Sequence, residues 1–256
     1  MRGLDIIGNI AIVKFEKNEK TRDKKKIAQS LLKRHKSLTT ILEKSQKIQG
    51  RLRTFKTKHV LGEKTKEALY KENGCSFRLN VDACYFSPRL AGERLEIAKA
   101  VKKNENVLVM FSGVGPFPIV IARHSKAKKV AAVELSKECN KYALENVKRN
   151  KIYNIQVMQG DVRKKLSGMK EKFDRIVMPR PNLKDSFLDV AFKAIKKDCM
   201  IHYYGFYLED EAWKIKELIN EEARKAGKRI RILRIKKAGD IGLRKFRYRV
   251  DFKVLN

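Results

Sequence analysis

Residues 107–119 read VLVMFSGVGPFPI. The apolar run Val107–Phe111 breaks into a loop holding Gly113 and Gly115, and a further apolar run follows at once. This pattern predicts a buried strand turning tightly into a helix. Small residues let the backbone approach a ligand closely, and the helix start offers free N–H groups at the positive end of its dipole. A strand buried in this way needs further strands beside it and helices on its faces.

The rest of the chain from Ser76 onward supplies them. Phe77–Val81 is expected to form a strand. Ser87-Pro88 is expected to open a helix that runs to about Lys102, with serine as N-cap and proline as the first helical residue. Apolar strands and amphipathic helices then alternate over 106–111, 116–124, 129–134, 136–149, 154–158, 173–178, 185–197, 199–204, 209–226, 229–237 and 245–254. Such alternation implies an α/β fold, a doubly wound and mostly parallel sheet. The last two strands follow one another without a helix, so one of them is expected to run antiparallel at the C-terminal edge.

Residues 1–75 read differently. Ile6–Phe15 suggests a strand with a glycine interruption. Asp23–Lys36 places Ile27, Leu31 and Leu32 at helical spacing under a basic outer face. Residues 37–42 and 52–61 look like short strands. We expect a small basic α+β RNA-binding domain over 1–75 and a larger α/β domain over 76–256.

The chain carries 61 Lys+Arg against 29 Asp+Glu, a net charge of +32. Charge of that size costs self-repulsion and points to a polyanionic partner. At 43% hydrophobic residues the chain can still bury a core, which excludes wholesale disorder. The density is greatest at the start, with 20 Lys+Arg against 8 Asp+Glu in residues 1–75. No apolar run is long enough to span a bilayer, and Asp5, Gly8 and Asn9 interrupt the N-terminus where a signal peptide would be apolar. Cys75, Cys84, Cys139 and Cys199 form no CxxC pair, and His35, His59, His124 and His202 are scattered, so no metal site is expected. Idle thiols suit a reducing cytoplasm.

Three elements fall in order at the carboxyl ends of successive strands. Ser112-Gly113-Val114-Gly115 comes first. Glu134 ends the strand KVAAVE about 20 residues on, where an acid can accept hydrogen bonds from two ribose hydroxyls. Asp161 follows the strand NIQVMQ, where a carboxylate can meet an adenine amino group. The glycine loop lacks the third glycine of a dinucleotide cradle and carries no GK[ST]. A ligand with ribose and adenine but no pyrophosphate fits better, and S-adenosylmethionine is the candidate. The plainer alternatives are a solvated strand end for Glu134 and a turn aspartate for Asp161.

MPRPN at 178–182 follows the strand FDRIVM, and its two prolines force the chain out of the sheet beside the cofactor edge. It suits one wall of a planar-base pocket, or simply a loop entering the next helix. In YFSPRLAGER at 85–94, Arg89 and Glu93 stand four apart on one helix. They can be a surface pair contributing ~0.3 kcal/mol. In the sharper reading, Glu93 faces a guanine whose ring nitrogen must lose its proton, while a guanidinium stabilises the charge building on the exocyclic oxygen.

ENGCSFRLNVDACYFSPRLAGER, VLVMFSGVGPFPIVIA, KVAAVELS, GDVR, FDRIVMPRP and MIHYYGFY together resemble the archaeal and eukaryotic tRNA guanosine-37 N1-methyltransferases. The similarity extends into ILEKSQKIQGRLRTFKTKHVLG and covers nearly the whole chain. The resemblance implies a class I, Rossmann-like, S-adenosylmethionine-dependent methyltransferase fold joined to a small N-terminal tRNA-binding domain. It implies methyl transfer to the ring N1 of guanosine-37 in the tRNA anticodon stem-loop. It assigns Glu93 as general base and Arg53 to the guanine oxygen, with Arg94 supporting the pocket. Phe111, Ser112, Gly113, Val114, Gly115, Phe117, Glu134, Leu135, Asp161, Val162 and Pro179 would line the cofactor site. Arg89, Arg180, Pro181 and Asn182 would face the substrate.

Three departures qualify the resemblance. Val109 stands where relatives often keep an aspartate. Pro179-Arg180-Pro181 replaces the common Asn-Leu-Pro, as in an archaeal subgroup that also methylates a tricyclic wyosine precursor. The N-terminal domain that in many relatives checks the tRNA elbow is not seen, so looser tRNA discrimination is expected. The same superfamily contains an aminocarboxypropyl transferase, which is the first alternative. A non-catalytic basic RNA-binding protein on the same scaffold is the second. A monomer acting in the cytoplasm, without membrane or metal, is expected.

Overall fold

In the computed structural model, which describes residues 3–16, 18–45, 50 and 54–256, the chain forms two compact units, Met1–Pro88 and Arg89–Asn256. In the first, β1 (Gly3–Ile7) and β2 (Ile10–Lys14) are antiparallel across a turn at Gly8-Asn9. Helix α1 (Thr21–Arg34) crosses to β3 (Thr40–Lys44), which lies parallel to β2, and β4 (Thr57–Gly62) runs antiparallel to β3. The expected α+β pattern is present, with the helix starting two residues earlier than its apolar spacing suggests. Ala28 and Leu31 of α1 pack against Ala11, Val13, Phe15, Leu38 and Ile41, leaving Arg22, Lys25, Lys26, Lys33 and Arg34 exposed.

A hairpin of β5 (Glu67–Glu72) and β6 (Cys75–Asn80) completes this unit. The strand expected at 77–81 therefore pairs backwards, and the division between compact units falls at Pro88 rather than at residue 75.

The second unit contains α2 (Ala91–Ala100), β7 (Asn106–Met110), α3 (Pro116–His124), β8 (Lys129–Glu134), α4 (Lys137–Arg149), β9 (Ile155–Gln159), α5 (Val162–Ser167), β10 (Phe173–Met178), α6 (Leu188–Lys193), β11 (Ile195–Leu208), α7 (Lys214–Lys225), β12 (Ile230–Gly242) and β13 (Lys245–Val254). The strands form one sheet in the order β12-β13-β11-β10-β7-β8-β9. β9, β8, β7, β10 and β11 are parallel, and β13 is antiparallel to both β11 and β12. The chain leaves β7 toward β8 and β9, then returns to lay β10 on the other side. The strand order thus reverses beside β7, and crevices that bind ligands open at that point on the carboxyl edge.

Several elements depart from expectation. Ser87-Pro88 opens only a single 3-10 turn, Pro88–Leu90, before α2. The helix expected over 185–197 shrinks to α6, because β11 already starts at Ile195 and runs on to Leu208. Gly205, where the apolar run seemed to end, lies inside β11. A Cβ there would stand 2.7 Å from Ile215 Cδ1, so the missing side chain is what lets α7 close on the sheet.

The two faces of the sheet differ in kind. Leu108, Met110, Ala131, Val133, Ile176, Met178, Ile201 and Tyr203 join α5, α6 and α7 in one apolar core. On the opposite face, below α2, the same alternation presents Arg175, His202, Tyr204 and Arg249. Arg175, 3% exposed, donates to both Glu105 oxygens (2.7 and 3.0 Å) and to Ala100 O (2.7 Å). Its Nη1 lies 2.7 Å from His202 Nε2, and His202 Nδ1 lies 2.7 Å from Asp251 Oδ1. An arginine only donates, so Nε2 accepts, and the imidazole is the neutral Nδ1–H tautomer.

Burial lowers the His202 pKa from its ordinary 6.5, with Arg175 and Arg249 adding to the effect against the pull of Asp251. A depressed histidine refuses a proton that the unfolded chain accepts. Stability should therefore be complete above about pH 6.5 and fall as the pH drops below it. Urea midpoints measured between about pH 7.5 and pH 5 should show this decline, and His202→Gln should flatten it. Glutamine can still donate to Asp251 and accept from Arg175. An unchanged slope in the variant would remove His202 as the cause.

Candidate active site

β7 ends at Met110, and Phe111 takes a left-handed conformation (φ 60°) to start the loop. Ser112 N donates to Val133 O at 3.0 Å, which ties the loop to β8, and Asn146 Nδ2 of α4 donates to Val114 O at 3.0 Å. Gly115, at φ 89°, is the N-cap of α3 and is followed by Pro116 at the first helical position. A Cβ on Gly115 would meet Ile119 Cδ1 at 3.1 Å and the Ala143 Cβ at 3.6 Å. The loop can therefore settle between α3 and α4 only with glycine there.

Glu134, 8% exposed at the end of β8, reaches back to this loop. Its Oε2 accepts from Gly113 N and its Oε1 from Ser136 N, both at 2.8 Å. Burial pushes its carboxyl above the ordinary carboxylate range, and the backbone N–H groups of Ser136, Gly113 and Leu135 pull the other way. Glu134 is thus a buried acid clasping two loops, not a solvated strand end. These three donors still leave the carboxylate about one lone pair for a further donor.

Asp161 caps α5, its Oδ1 accepting from Arg163 N at 2.8 Å. The turn-aspartate reading and the ligand reading are compatible here, since the second oxygen is not needed for the cap. The Val162 side chain belongs to the apolar core, so it can offer a ligand only backbone. Leu135 is half-buried at the carboxyl end of β8.

Among the described residues, Ser112 Oγ and Asn140 Nδ2 are buried without hydrogen-bond partners. Polar groups orphaned this way are costly and mark a place where something else is expected to bond. The glycine loop and its two acids bring two carboxylates to the strand ends, which suits a neutral or cationic ligand rather than a phosphate. These features fit S-adenosylmethionine, which when bound supplies an activated methyl group. Glu134→Ala should weaken its binding about tenfold to a hundredfold, the worth of a charged hydrogen-bond acceptor, as read by calorimetry. Wild-type affinity in that variant would reduce Glu134 to a turn-closing role.

Glu93 lies on α2 and is 7% exposed, which rules out a solvated surface pair. Its Oε2 accepts from Tyr204 OH (3.1 Å) and Arg249 Nη1 (2.7 Å), and its Oε1 lies 2.5 Å from Lys236 Nζ. The neighbouring Arg94 is 1% exposed, with its guanidinium carbon 5.9 Å from the Phe117 ring centroid. Phe117 in turn meets the Tyr204 ring edge-on at 6.0 Å. Phe117 is therefore packed between the residues around Glu93, and it connects the cofactor loop's helix to the carboxylate on α2.

Arg180 departs from the substrate-facing role expected of it. It is 6% exposed, and its Nη2 donates to Leu183 O and Asp185 O. It stacks over Tyr203 at 5.5 Å and so fixes the loop after β10 from within. Pro179 and Pro181 are half-buried, while Arg89 and Asn182 are exposed. Phe111 closes the same end of the sheet edge-on against Phe187 at 4.9 Å. Val109 is fully buried in β7, paired with Val177 and Ala132. Arg53 lies outside the described residues. Among the described residues, no group of three or more His, Cys, Asp or Glu is placed to hold a metal, and no helix is long and apolar enough to cross a membrane.

Tyr204, Lys236 and Arg249 are the site residues that sequence reading missed. Lys236 and Arg249 are paired in the sheet, and Tyr204 opposes Arg249 across the next rung. For Lys236 and Arg249 the signal was the density of charge in the last two strands, and Tyr204 stood unremarked within the MIHYYGFY stretch.

The family model for the TRM5/TYW2 methyltransferase domain matches residues 68–234, and that for the TYW2 N-terminal domain matches residues 1–65. Trm5b of Pyrococcus abyssi, named a tRNA (guanine(37)-N(1))-methyltransferase, is 37% identical over 98% of this chain and 74% of its own. Taw22 of Nanoarchaeum equitans, named a tRNA (guanine(37)-N(1))/4-demethylwyosine(37)-methyltransferase, is 34% identical over 98% of this chain and 99% of its own. The crystal structure of P. abyssi Trm5b superposes with a TM-score of 0.89 at 36% identity, over 100% of this chain and 76% of that one. With its sheet order, its glycine loop and its buried Glu134 and Glu93 already in place, the chain belongs to the TRM5/TYW2 methyltransferase family.

Proposed function

We propose that this protein transfers the methyl group of S-adenosylmethionine to N1 of guanosine-37 in tRNA. The observation that carries the reading is the carboxylate of Glu93. It is buried beside the helix that starts at the cofactor loop and is held by Tyr204, Arg249 and Lys236. Attack through N1 requires that nitrogen's proton to leave, and a carboxylate with a lone pair still open on Oε1 is suited to take it. The resemblance gives Arg53 the part of stabilising charge on the exocyclic oxygen, and Arg94, whose guanidinium lies over Phe117, would keep the pocket's shape. The anticodon-loop base must be splayed out to reach such a site.

The exposed Arg22, Lys25, Lys26, Lys33 and Arg34 of α1 support an RNA-binding role for the first unit. Affinity held by such side chains falls steeply with salt. The four cysteines are free and buried, in keeping with a cytoplasmic protein.

The test is incubation with labelled cofactor and tRNA, then digestion and mass spectrometry of anticodon-loop nucleosides. A methyl increment on guanosine-37 is expected. An aminocarboxypropyl increment would replace this reading with the transferase alternative, and no increment would favour the non-catalytic one. A second substrate, the tricyclic wyosine precursor at the same nucleotide, is favoured by the loop after β10. There Pro179-Arg180-Pro181 stands in place of the common Asn-Leu-Pro, with the Arg180 guanidinium turned inward onto Leu183 O and Asp185 O. The same digestion, run on precursor-bearing tRNA, checks it.

A further inference from the structure

β10 and β11 stop pairing at Met178 and Tyr203, yet β11 continues to Leu208. β13 follows it residue for residue, from Arg249 opposite Tyr204 to Lys245 opposite Leu208, and β12 extends alongside to Gly242. A three-stranded arm therefore projects past the carboxyl edge of the parallel strands by about 16 Å, at ~3.3 Å per residue. It starts at Tyr204, the residue bonded to Glu93, and next to the 179–181 loop.

The arm's composition is unusual for a solvent-facing ribbon. From Lys236 to Arg249 inclusive stand six Lys/Arg and one acid, Asp240. Lys237 is tied to Glu209 and lies over Phe246, and Arg247 lies over Phe206, but Arg244 and Lys245 at the tip are unpaired among the described residues. The tip also exposes apolar side chains: Leu243 at 94% and Ile241 at 38%, with Leu208 (39%) and Trp213 (56%) at the same end of β11. Singly exposed leucines need no explanation, but a cluster at the tip of a basic arm beside a site does. Nor is the tip loose, because Glu209 N donates to Arg244 O at 3.0 Å and fixes the turn to the end of β11.

We propose that this hairpin tip is an RNA-contact element. Leu243 is set as an apolar wedge against the bases flanking the extruded nucleotide, with Arg244 and Lys245 on the neighbouring phosphates. Aliphatic side chains inserted beside unstacked bases are a known way to hold nucleic acid open, and flanking cations supply the backbone affinity. The proposal rests on the reading that the chain acts on tRNA.

The test uses the full chain with Leu243→Ala, Leu243→Asp and Arg244→Ala/Lys245→Ala. We would measure tRNA affinity across a salt series, single-turnover transfer, cofactor affinity by calorimetry, and 2-aminopurine fluorescence at the nucleotide next to the target. The charge variant should lower the slope of log affinity against log salt by about 2, one per lost cation. Leu243→Ala should slow transfer roughly tenfold and reduce the fluorescence change, and Leu243→Asp should do so more, with the salt slope unchanged in the alanine variant. Cofactor affinity should stay at the wild-type value throughout, which separates these effects from misfolding. If the wild type binds and modifies tRNA while all variants match it, the arm is not an RNA contact. If the wild type itself neither binds nor modifies tRNA, the functional reading fails first.

Discussion

Glu93→Gln should slow single-turnover methyl transfer by about two to four orders of magnitude, the usual worth of a positioned general base. Cofactor affinity should not change, because Glu93 shares no hydrogen bond with the Ser112–Gly115 loop or Glu134. The variant should also fold. Arg249 keeps Glu96 at 2.5 Å and Asp251 at 3.0 Å, and Lys236 keeps Glu96 at 2.6 Å, so neither cation is left unpaired when Glu93 loses its charge. The glutamine carbonyl can still accept from Tyr204. A rate loss with intact cofactor binding and an unchanged melting temperature would assign the proton transfer to this side chain. A wild-type rate in the variant would remove Glu93 from the chemistry and leave it as a buried ion-pair partner.

How much of this was legible beforehand depends on the range of the interaction. The glycine loop, Glu134 and Asp161 could be read because each follows a short apolar strand at a spacing set by one strand–helix unit. The doubly wound sheet could be read for the same reason. β5 was not foreseen, since Glu67–Glu72 mixes three charged residues with alternation too short to stand out. α5 has six residues and two buried ones, too few for a helical period to show. The partners of Glu93 lay beyond reach for a different reason. Arg249 is 156 positions away, and it meets Glu93 only because β13 inserts beside β11 with Arg249 opposite Tyr204. Arg180 was misjudged in the opposite sense. The resemblance set it facing the substrate, but the loop satisfies its own carbonyls with that guanidinium.

Arg249→Met should carry the largest cost to stability. Arg249 is 2% exposed and serves three carboxylates, Glu93, Glu96 and Asp251. Removing one partner of a buried ion pair typically costs about 3–5 kcal/mol, because the charges left behind stay desolvated and uncompensated. That is a large share of the ~5–15 kcal/mol that holds a domain together. Lys236→Met should cost far less, roughly 1 kcal/mol or below, because Lys236 is partly exposed and Arg249 remains. Urea unfolding of the two variants tests this ranking, and equal losses would refute it. The acid limb gives a second check. Burial pushes Glu96 upward, but the bonds from Arg249 and Lys236 outweigh it and set its pKa at about 2. A carboxyl depressed in the native state contributes stability above its ordinary value of 4.5, and that contribution is lost as the pH falls toward 2. Without Arg249 this loss should become shallower, since the main bond that depresses Glu96 is gone. An acid limb as steep in Arg249→Met as in the wild type would mean that other carboxylates drive it.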